Sequence, residues 1–227
     1  MTDRRVIAII PARMASSRFP GKPLAAIRGV PMIGHVYYRT RMSRLIDEVW
    51  IATCDDEINQ YSRSIGAPCV MTAATHERAT ERAAEAVSII QRDTGRKFEV
   101  VMMVQGDEPL VSPQSLDQCV DAMLRSDVPV VNLIATIETE EDFASHNVVK
   151  TVIDQNCEAL YFSREPIPSR WKGRVRGKML KQLGLIAFKT DYLLRFNSLP
   201  QTPLEQIESV DMLRVLEHGD RIRTVLT

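Results

Sequence analysis

Val6-Ile-Ala-Ile-Ile10 runs directly into Pro11-Ala-Arg13-Met-Ala-Ser16-Ser17-Arg18-Phe-Pro20-Gly21-Lys22-Pro23. Five apolar residues, four of them β-branched and stopped by proline, read as a short buried strand. The Arg-, Ser-, Gly- and Pro-rich stretch that follows reads as a loop. The same sequence of events recurs downstream, where Val100-Val-Met-Met-Val104 meets Gln105-Gly106-Asp107-Glu108-Pro109. Between the two lie a helix over Met32 to Arg44, a strand over Glu48 to Thr53 and a helix over Asp55 to Ile65, capped by Asp55 or Asp56. A short strand over Ala67 to Thr72 and a helix over Thr80 to Thr94 complete the interval. Strands alternating with helices at this spacing predict parallel βαβ units. The fold class expected is α/β, with an open, doubly wound, mostly parallel sheet.

Beyond about Val128 the pattern is more mixed. Strands are expected over Val128–Ile137, Val148–Ile153, Ala159–Phe162 and Leu183–Phe188, and helices over Asp191–Phe196 and Leu204–Glu217. The expected organisation is one domain over 1–227, with a nucleotide-binding half over 1–125. The smaller extension over 126–227 reads as an antiparallel addition to the sheet that would also make a subunit interface. Arg170, Lys172, Arg174, Arg176, Lys178 and Lys181 form a basic run, either a solvated loop or a flap over an anionic ligand.

Composition narrows the class. Lys+Arg and Asp+Glu balance at 29 each in 227 residues, which argues against a nucleic-acid binder. Cys54, Cys69, Cys119 and Cys157 form no CxxC pair, so neither a zinc site nor a disulfide framework is indicated. No stretch approaches the ~20 apolar residues of a membrane span, and the Val6–Ile10 run is too short for a signal-peptide core. A soluble cytoplasmic protein is expected.

In an open α/β sheet, ligands sit beyond the carboxyl ends of the strands, where both loops fall. Backbone N–H groups and cations of the first loop suit a triphosphate, although the residues alone fit a basic surface loop as well. It is not a Walker A loop, since the GxxxxGK[ST] spacing is missing. The acidic pair Asp107-Glu108 suits Mg²⁺; a turn or helix cap is the plainer alternative. Together on one sheet edge, the two loops fit a metal–nucleotide site better than either does alone.

The stretch Ile9-Ile10-Pro11-Ala12-Arg13 through Arg18-Phe19-Pro20-Gly21-Lys22-Pro23-Leu24, with Val104-Gln105-Gly106-Asp107-Glu108-Pro109, resembles the CMP-sugar synthetases, and within them the 3-deoxy-manno-octulosonate (KDO) cytidylyltransferase family. Further matches follow in order: Thr80-Glu81-Arg82, Ala159-Leu160-Tyr161-Phe162-Ser163-Arg164, and Pro203-Leu204-Glu205-Gln206-Ile207-Glu208 with Leu213-Arg214-Val215-Leu216. The resemblance is colinear over nearly the whole chain. It implies a fold of the nucleotide-diphospho-sugar transferase type. It also implies a homodimer that takes CTP and an acidic sugar and uses Mg²⁺. Arg13, Lys22 and Asp107 would be catalytic, with Asp107 the metal ligand. Ala12, Arg13, Ser17, Arg18, Lys22, Arg82 and Gln105 would hold the nucleotide. Arg164, Gln182, Glu205, Gln206 and Glu208 would lie at the sugar, or, for the last three, at the dimer contact. The plainer alternatives are that Arg82 pairs with a neighbouring glutamate and that Leu204–Glu217 is an amphipathic helix with Ile207, Val210 and Leu213 inward.

Three departures from the family pattern stand out. The family's DHxSGT is Thr75-His76-Glu77-Arg78-Ala79-Thr80 here, which places a charge at Arg78 and removes a glycine. The family's His-Leu-Gly-Ile-Tyr is Gln182-Leu183-Gly184-Leu185-Ile186: Gln182 can still hydrogen-bond at the sugar but Ile186 cannot, which admits another acidic or amino sugar. The segment carrying a second metal ligand in the family lies past Thr227. A CTP-binding relative without turnover is the remaining alternative.

Overall fold

Every residue of the first strand, β1 (Val6–Pro11), is buried. Ile7 and Ile9 enter one apolar cluster, while Val6, Ala8 and Ile10 enter another. The period-2 alternation of a strand thus feeds two cores, and this is why β1 reads as a continuous apolar run. The computed structural model describes residues 5–15, 19–171 and 177–227.

After β1 come the ribbon strands β2 (Ala26–Ile27) and β3 (Val30–Pro31), helix α1 (Met32–Thr40), β4 (Glu48–Thr53), α2 (Asp56–Ser64), β5 (Cys69–Met71), α3 (Ala79–Thr94), β6 (Val100–Val104) and α4 (Pro113–Arg125). The second half holds β7 (Val130–Thr136), α5 (Glu140–Ala144), β8 (Lys150–Ile153), β9 (Ala159–Ser163), β10 (Leu180–Lys189), α6 (Thr190–Ser198), α7 (Pro203–Glu208), α8 (Met212–Glu217) and β11 (Ile222–Leu226). The main sheet runs β11-β7-β10-β6-β1-β4-β5, with β8 and β9 attached through β10. β6, β1, β4 and β5 are parallel to their neighbours in that block; β10 is antiparallel to β6, β7 and β8. The α/β fold with a mixed extension is as the sequence predicts. Helices α3, α6 and α8 cover one face, and α1, α2 and α4 the other.

Several boundaries differ from expectation, each for a local reason. Helix α1 stops at Thr40 rather than Arg44, because Asp117 on α4 accepts from Ser43 Oγ and from the Arg44 and Leu45 N–H groups. Asp55 stands at the N-cap of α2 but makes no cap there; its carboxylate accepts from the Met14 N–H at 2.7 Å. The helix expected over Leu204–Glu217 is two helices, broken at Ser209 with φ 53°. The break resets the helical phase, so Ile207 is 77% exposed while Val210 and Leu213 are buried. Arg164 stabilises it by donating to the Glu208 and Ser209 carbonyls. Helix α4 and strand β11 were not anticipated, and β10 is longer than expected at both ends. No helix among the described residues is long and apolar enough to cross a membrane.

Candidate functional site

Because β1 and β6 are adjacent and parallel, their following loops leave the same edge of the sheet. The first loop is held from below. Ala12 N–H donates to the Ala52 carbonyl, Met14 N–H to Asp55, and Gly21 N–H to the Met14 carbonyl. Gly106 lets the second loop press against the first, since a Cβ there would stand 2.9 Å from the Pro11 carbonyl oxygen. The result is a cleft of about 340 Å³. Of the residues expected at the nucleotide, Ala12, Arg13, Lys22, Arg82 and Gln105 line it, together with Asp107, the expected metal ligand.

Lys22 Nζ donates to Asp107 Oδ2 at 2.9 Å, with both side chains well exposed. This pair joins the basic loop to the acidic one. Arg13 Nη1 lies 3.5 Å from the His76 carbonyl oxygen. His76 in turn contacts Glu85 at 2.6 Å. Glu108 is half desolvated, and burial first, then the neighbouring Asp107 charge, pushes its carboxyl above the usual range.

Arg82 is 3% exposed. Its Nη1 donates to Thr72 Oγ1 and the Ala73 carbonyl, and its buried Nη2 has no partner among the described residues. Its hydrogen bonds go to a hydroxyl and a carbonyl rather than to a glutamate. Against the desolvation of burial, its charge joins the Ala73 N–H and His76 in holding the nearby Glu85 carboxyl below its usual range. A buried donor without an acceptor is costly, by roughly 1–3 kcal/mol, and a ligand acceptor would remove the cost.

Gln105 presses against β10. A Cβ on Gly184 would stand 2.2 Å from the Gln105 Cδ, and the Gln105 N–H donates to the Gly184 carbonyl. Gly184 sits where the β10–β7 register shifts. An isolated glycine inside a strand is the signal that could have marked this approach.

The residues expected at the sugar lie outside this cleft. Gln182 donates to Asn132 Oδ1 at 2.7 Å, and Ile186 is 3% exposed in an apolar cluster. Glu208 accepts from Ser163 Oγ and the Arg164 N–H. Arg164 donates to the carbonyls of Glu208, Ser209 and His146. Gln206 is exposed. Glu205 is 0% exposed, with Arg214 donating to both its oxygens at 2.6 and 2.7 Å; its place is inside the fold, with no exposed oxygen to offer a sugar. Ser17, Arg18, Lys172, Arg174 and Arg176 lie outside the described residues. Of the rest of the basic run, Arg170 pairs with Glu140 and Lys181 with Asp142.

Among the described residues no cluster of three or more His, Cys, Asp or Glu side chains is poised to hold a metal. Mg²⁺ does not require one. It is commonly held by one or two carboxylates with phosphate oxygens and waters completing the octahedron. Asp107, 46% exposed and with Oδ1 free of described contacts, fits that donor set.

A cytidylyltransferase family model matches residues 7–222. The 3-deoxy-manno-octulosonate cytidylyltransferase of Geobacter metallireducens is 42% identical over 98% of this chain and 90% of its own. That of Nitratidesulfovibrio vulgaris is 44% identical over 99% of this chain and 88% of its own. A solved CMP:2-keto-3-deoxy-manno-octonic acid synthetase complexed with CTP superposes with a TM-score of 0.90 at 35% identity, covering 98% of this chain and 90% of the other. With the two loops meeting at Lys22 and Asp107 and the likeness running nearly end to end, the chain belongs to the cytidylyltransferase family.

Proposed function

We propose that this protein transfers the cytidylyl group of CTP to 3-deoxy-manno-octulosonate, forming the CMP-sugar and pyrophosphate. The observation that carries the reading is the Lys22–Asp107 pair at the mouth of a cleft that also holds Arg13 and the Arg82 Nη2, which has no hydrogen-bond partner among the described residues. The sugar's anomeric oxygen bonds to the α-phosphorus as the bond to the β-phosphate bridge breaks. Arg13 and Lys22, with Ser17 and Arg18 of the same loop, hold the phosphates and offset charge. Ala12, Arg82 and Gln105 fix the nucleoside. Asp107 would hold Mg²⁺, which would supply charge neutralisation for the transferring phosphate. The protein's own contribution is positioning within a fixed field of donors.

For the sugar, Arg164 uses three of its five N–H groups on carbonyls, leaving two for a carboxylate, with Gln182, Gln206 and Glu208 nearby in sequence or contact. Residues 1–125 then serve the nucleotide, and residues 126–227 the sugar and a dimer contact. Leu160 and Ile207, 61% and 77% exposed, offer apolar surface for a second copy. A cytoplasmic enzyme fits substrates of this kind.

The test is pyrophosphate release with CTP and Mg²⁺ against KDO, amino-KDO and sialic-type acids, with ATP, GTP and UTP as controls. CTP-dependent release with KDO is expected. Binding of CTP without release for any sugar would overturn the reading. The position of Gln105 gives a second expectation. Gly184→Ala forces the Gln105 amide out of its place, so kcat/KM for CTP should fall about tenfold, the worth of one good hydrogen bond. A melting temperature close to wild type would accompany it, because the glutamine can swing into the open cleft.

A further inference from the structure

We propose that Arg78 is a nucleotide-binding residue of this chain, a guanidinium on the cleft wall that donates to the acceptor edge, O2 and N3, of the cytosine ring. The inference rests on CTP being the nucleotide.

Arg78 is the N-cap residue of α3, lines the cleft and is 24% exposed at its side chain. Along its own helix the position is unfavourable for a cation, and the Glu205 and Asp211 charges across from it offset that. A cation at a helix N-terminus opposes the macrodipole. Arg82 lies one turn further on, and like charges at i and i+4 repel. The capping of α3 does not need the Arg78 side chain, because Glu81 accepts from the Glu77 and Arg78 N–H groups.

The plain structural role would be to neutralise buried acid. Arg78 Nε stands 3.6 Å from Glu205 Oε1, an ion pair longer than a hydrogen bond. Glu205 is already held at both oxygens by Arg214, and the nearby Asp211 carboxylate accepts from Thr80 Oγ1. The Arg78 charge favours the ionised form of Asp211, but neither acid takes a hydrogen bond from Arg78. Among the described residues the two Nη groups of Arg78 donate no hydrogen bond. With the orphaned Nη2 of Arg82, α3 thus presents the cleft with several N–H donors and no acceptor for them.

The place of these donors selects the part of the nucleotide. Phosphate charge is drawn to Lys22 and the Asp107 site, beyond β1 and β6, while Arg13 reaches across toward the loop before α3. Arg82 donates to Thr72 and Ala73, just past the end of β5, which is two strands away from β1, about 10 Å at ordinary strand spacing, and Arg78 lies one turn before it at the start of α3. The base and ribose therefore fall on the α3 side. Cytosine presents N3 as an acceptor, whereas uracil presents N3–H, which would face the guanidinium donor to donor. A site built to hydrogen-bond one pattern rejects the other strongly. Glu205 steadies the Nε end of Arg78 and leaves the Nη groups toward the cleft.

The experiment is calorimetric titration of CTP and UTP into the wild type, Arg78→Ala and Arg78→Lys, with melting temperatures and steady-state kinetics in parallel. Wild-type preference for CTP over UTP tests the underlying reading by itself. Given that preference, Arg78→Ala should weaken CTP binding about tenfold and UTP binding much less, with kcat at saturating CTP and KM for the sugar within about twofold. Arg78→Lys should keep the melting temperature and lose most of the CTP preference, since an ammonium lacks the planar fork. An unchanged CTP-to-UTP ratio in either variant overturns the proposal, whether affinities are kept or both fall together. In the first case Arg78 is only a partner of Glu205; in the second it acts through its charge on the phosphates. Should Arg78→Ala not fold, Arg78→Lys alone decides between the same outcomes.

Discussion

Asp107→Asn is expected to lower turnover at saturating CTP and sugar by about 10²–10³-fold, the cost of removing a charge-stabilising group from a reacting phosphate site. The fold should scarcely notice. Asp107 lies in the loop after β6, 46% exposed, and its described contact is the exposed pair with Lys22. Such pairs contribute about 0–1 kcal/mol, so the melting temperature should shift by at most about 2–4 °C. Asparagine keeps the shape and one oxygen, but it carries no charge for the metal and no longer tethers the Lys22 ammonium. The measurement is pyrophosphate release across a Mg²⁺ series beside a thermal melt. Partial recovery of rate at high Mg²⁺ supports the metal assignment. A wild-type rate for the variant at low Mg²⁺ would remove Asp107 from the metal site.

The central strands were legible because they are buried on both faces. Val6–Ile10 and Val100–Val104 carry no polar residue, so their apolar runs announce themselves, and the loops after them inherit a fixed edge of the sheet. Arg13, Lys22, Gln105 and Asp107 could therefore be placed together from sequence. Strand β10 was read short because Lys181 and Gln182 are polar; Lys181 is tied to Asp142 and Gln182 to Asn132 across the sheet, partners 39 and 50 residues away. The same kind of distant contact hid the end of α1, where Asp117 takes the helix-terminal donors. It hid the role of Asp55, whose sequence position promised a cap. Helix α4 was within reach, since Ser112-Pro113 is an N-cap followed by proline at the first helical position. Strand β11, alternating Ile222, Thr224 and Leu226 with Arg223 and Val225, is too short and too polar to read without β7 beside it. The break at Ser209 was not legible at all, because it depends on Arg164 arriving from β9 to accept the role of a C-terminal cap.

Arg214→Leu is expected to destabilise the protein by about 3–5 kcal/mol, the usual cost of removing one partner of a buried ion pair. Arg214 is 4% exposed and Glu205 is 0% exposed. The guanidinium donates to both Glu205 oxygens, and its Nη1 also donates to the Phe196 and Leu199 carbonyls. It stacks 4.6 Å above the Phe196 ring. Leucine would satisfy none of the four acceptors. The Glu205 hydrogen bonds raise the Arg214 pKa above its ordinary value. A cation whose folded pKa is raised contributes its stability in full at every pH below its unfolded pKa, which for arginine is above ~12. The loss should therefore be the same at pH 6 and pH 8. At about 2–4 °C per kcal/mol for a chain of this size, the melting temperature should fall by roughly 10 °C. The second variant decides the cause. Glu205→Leu with Arg214→Leu removes both charges together, and it should recover part of the loss if an uncompensated buried carboxylate is the cause. A double variant no more stable than Arg214→Leu would instead place the loss in the Phe196 and Leu199 carbonyls and the ring contact. In either case the damage begins at α7, whose last residue holds Arg164 and whose Glu205 pairs with Arg78, so affinity for the sugar and affinity for CTP should both weaken.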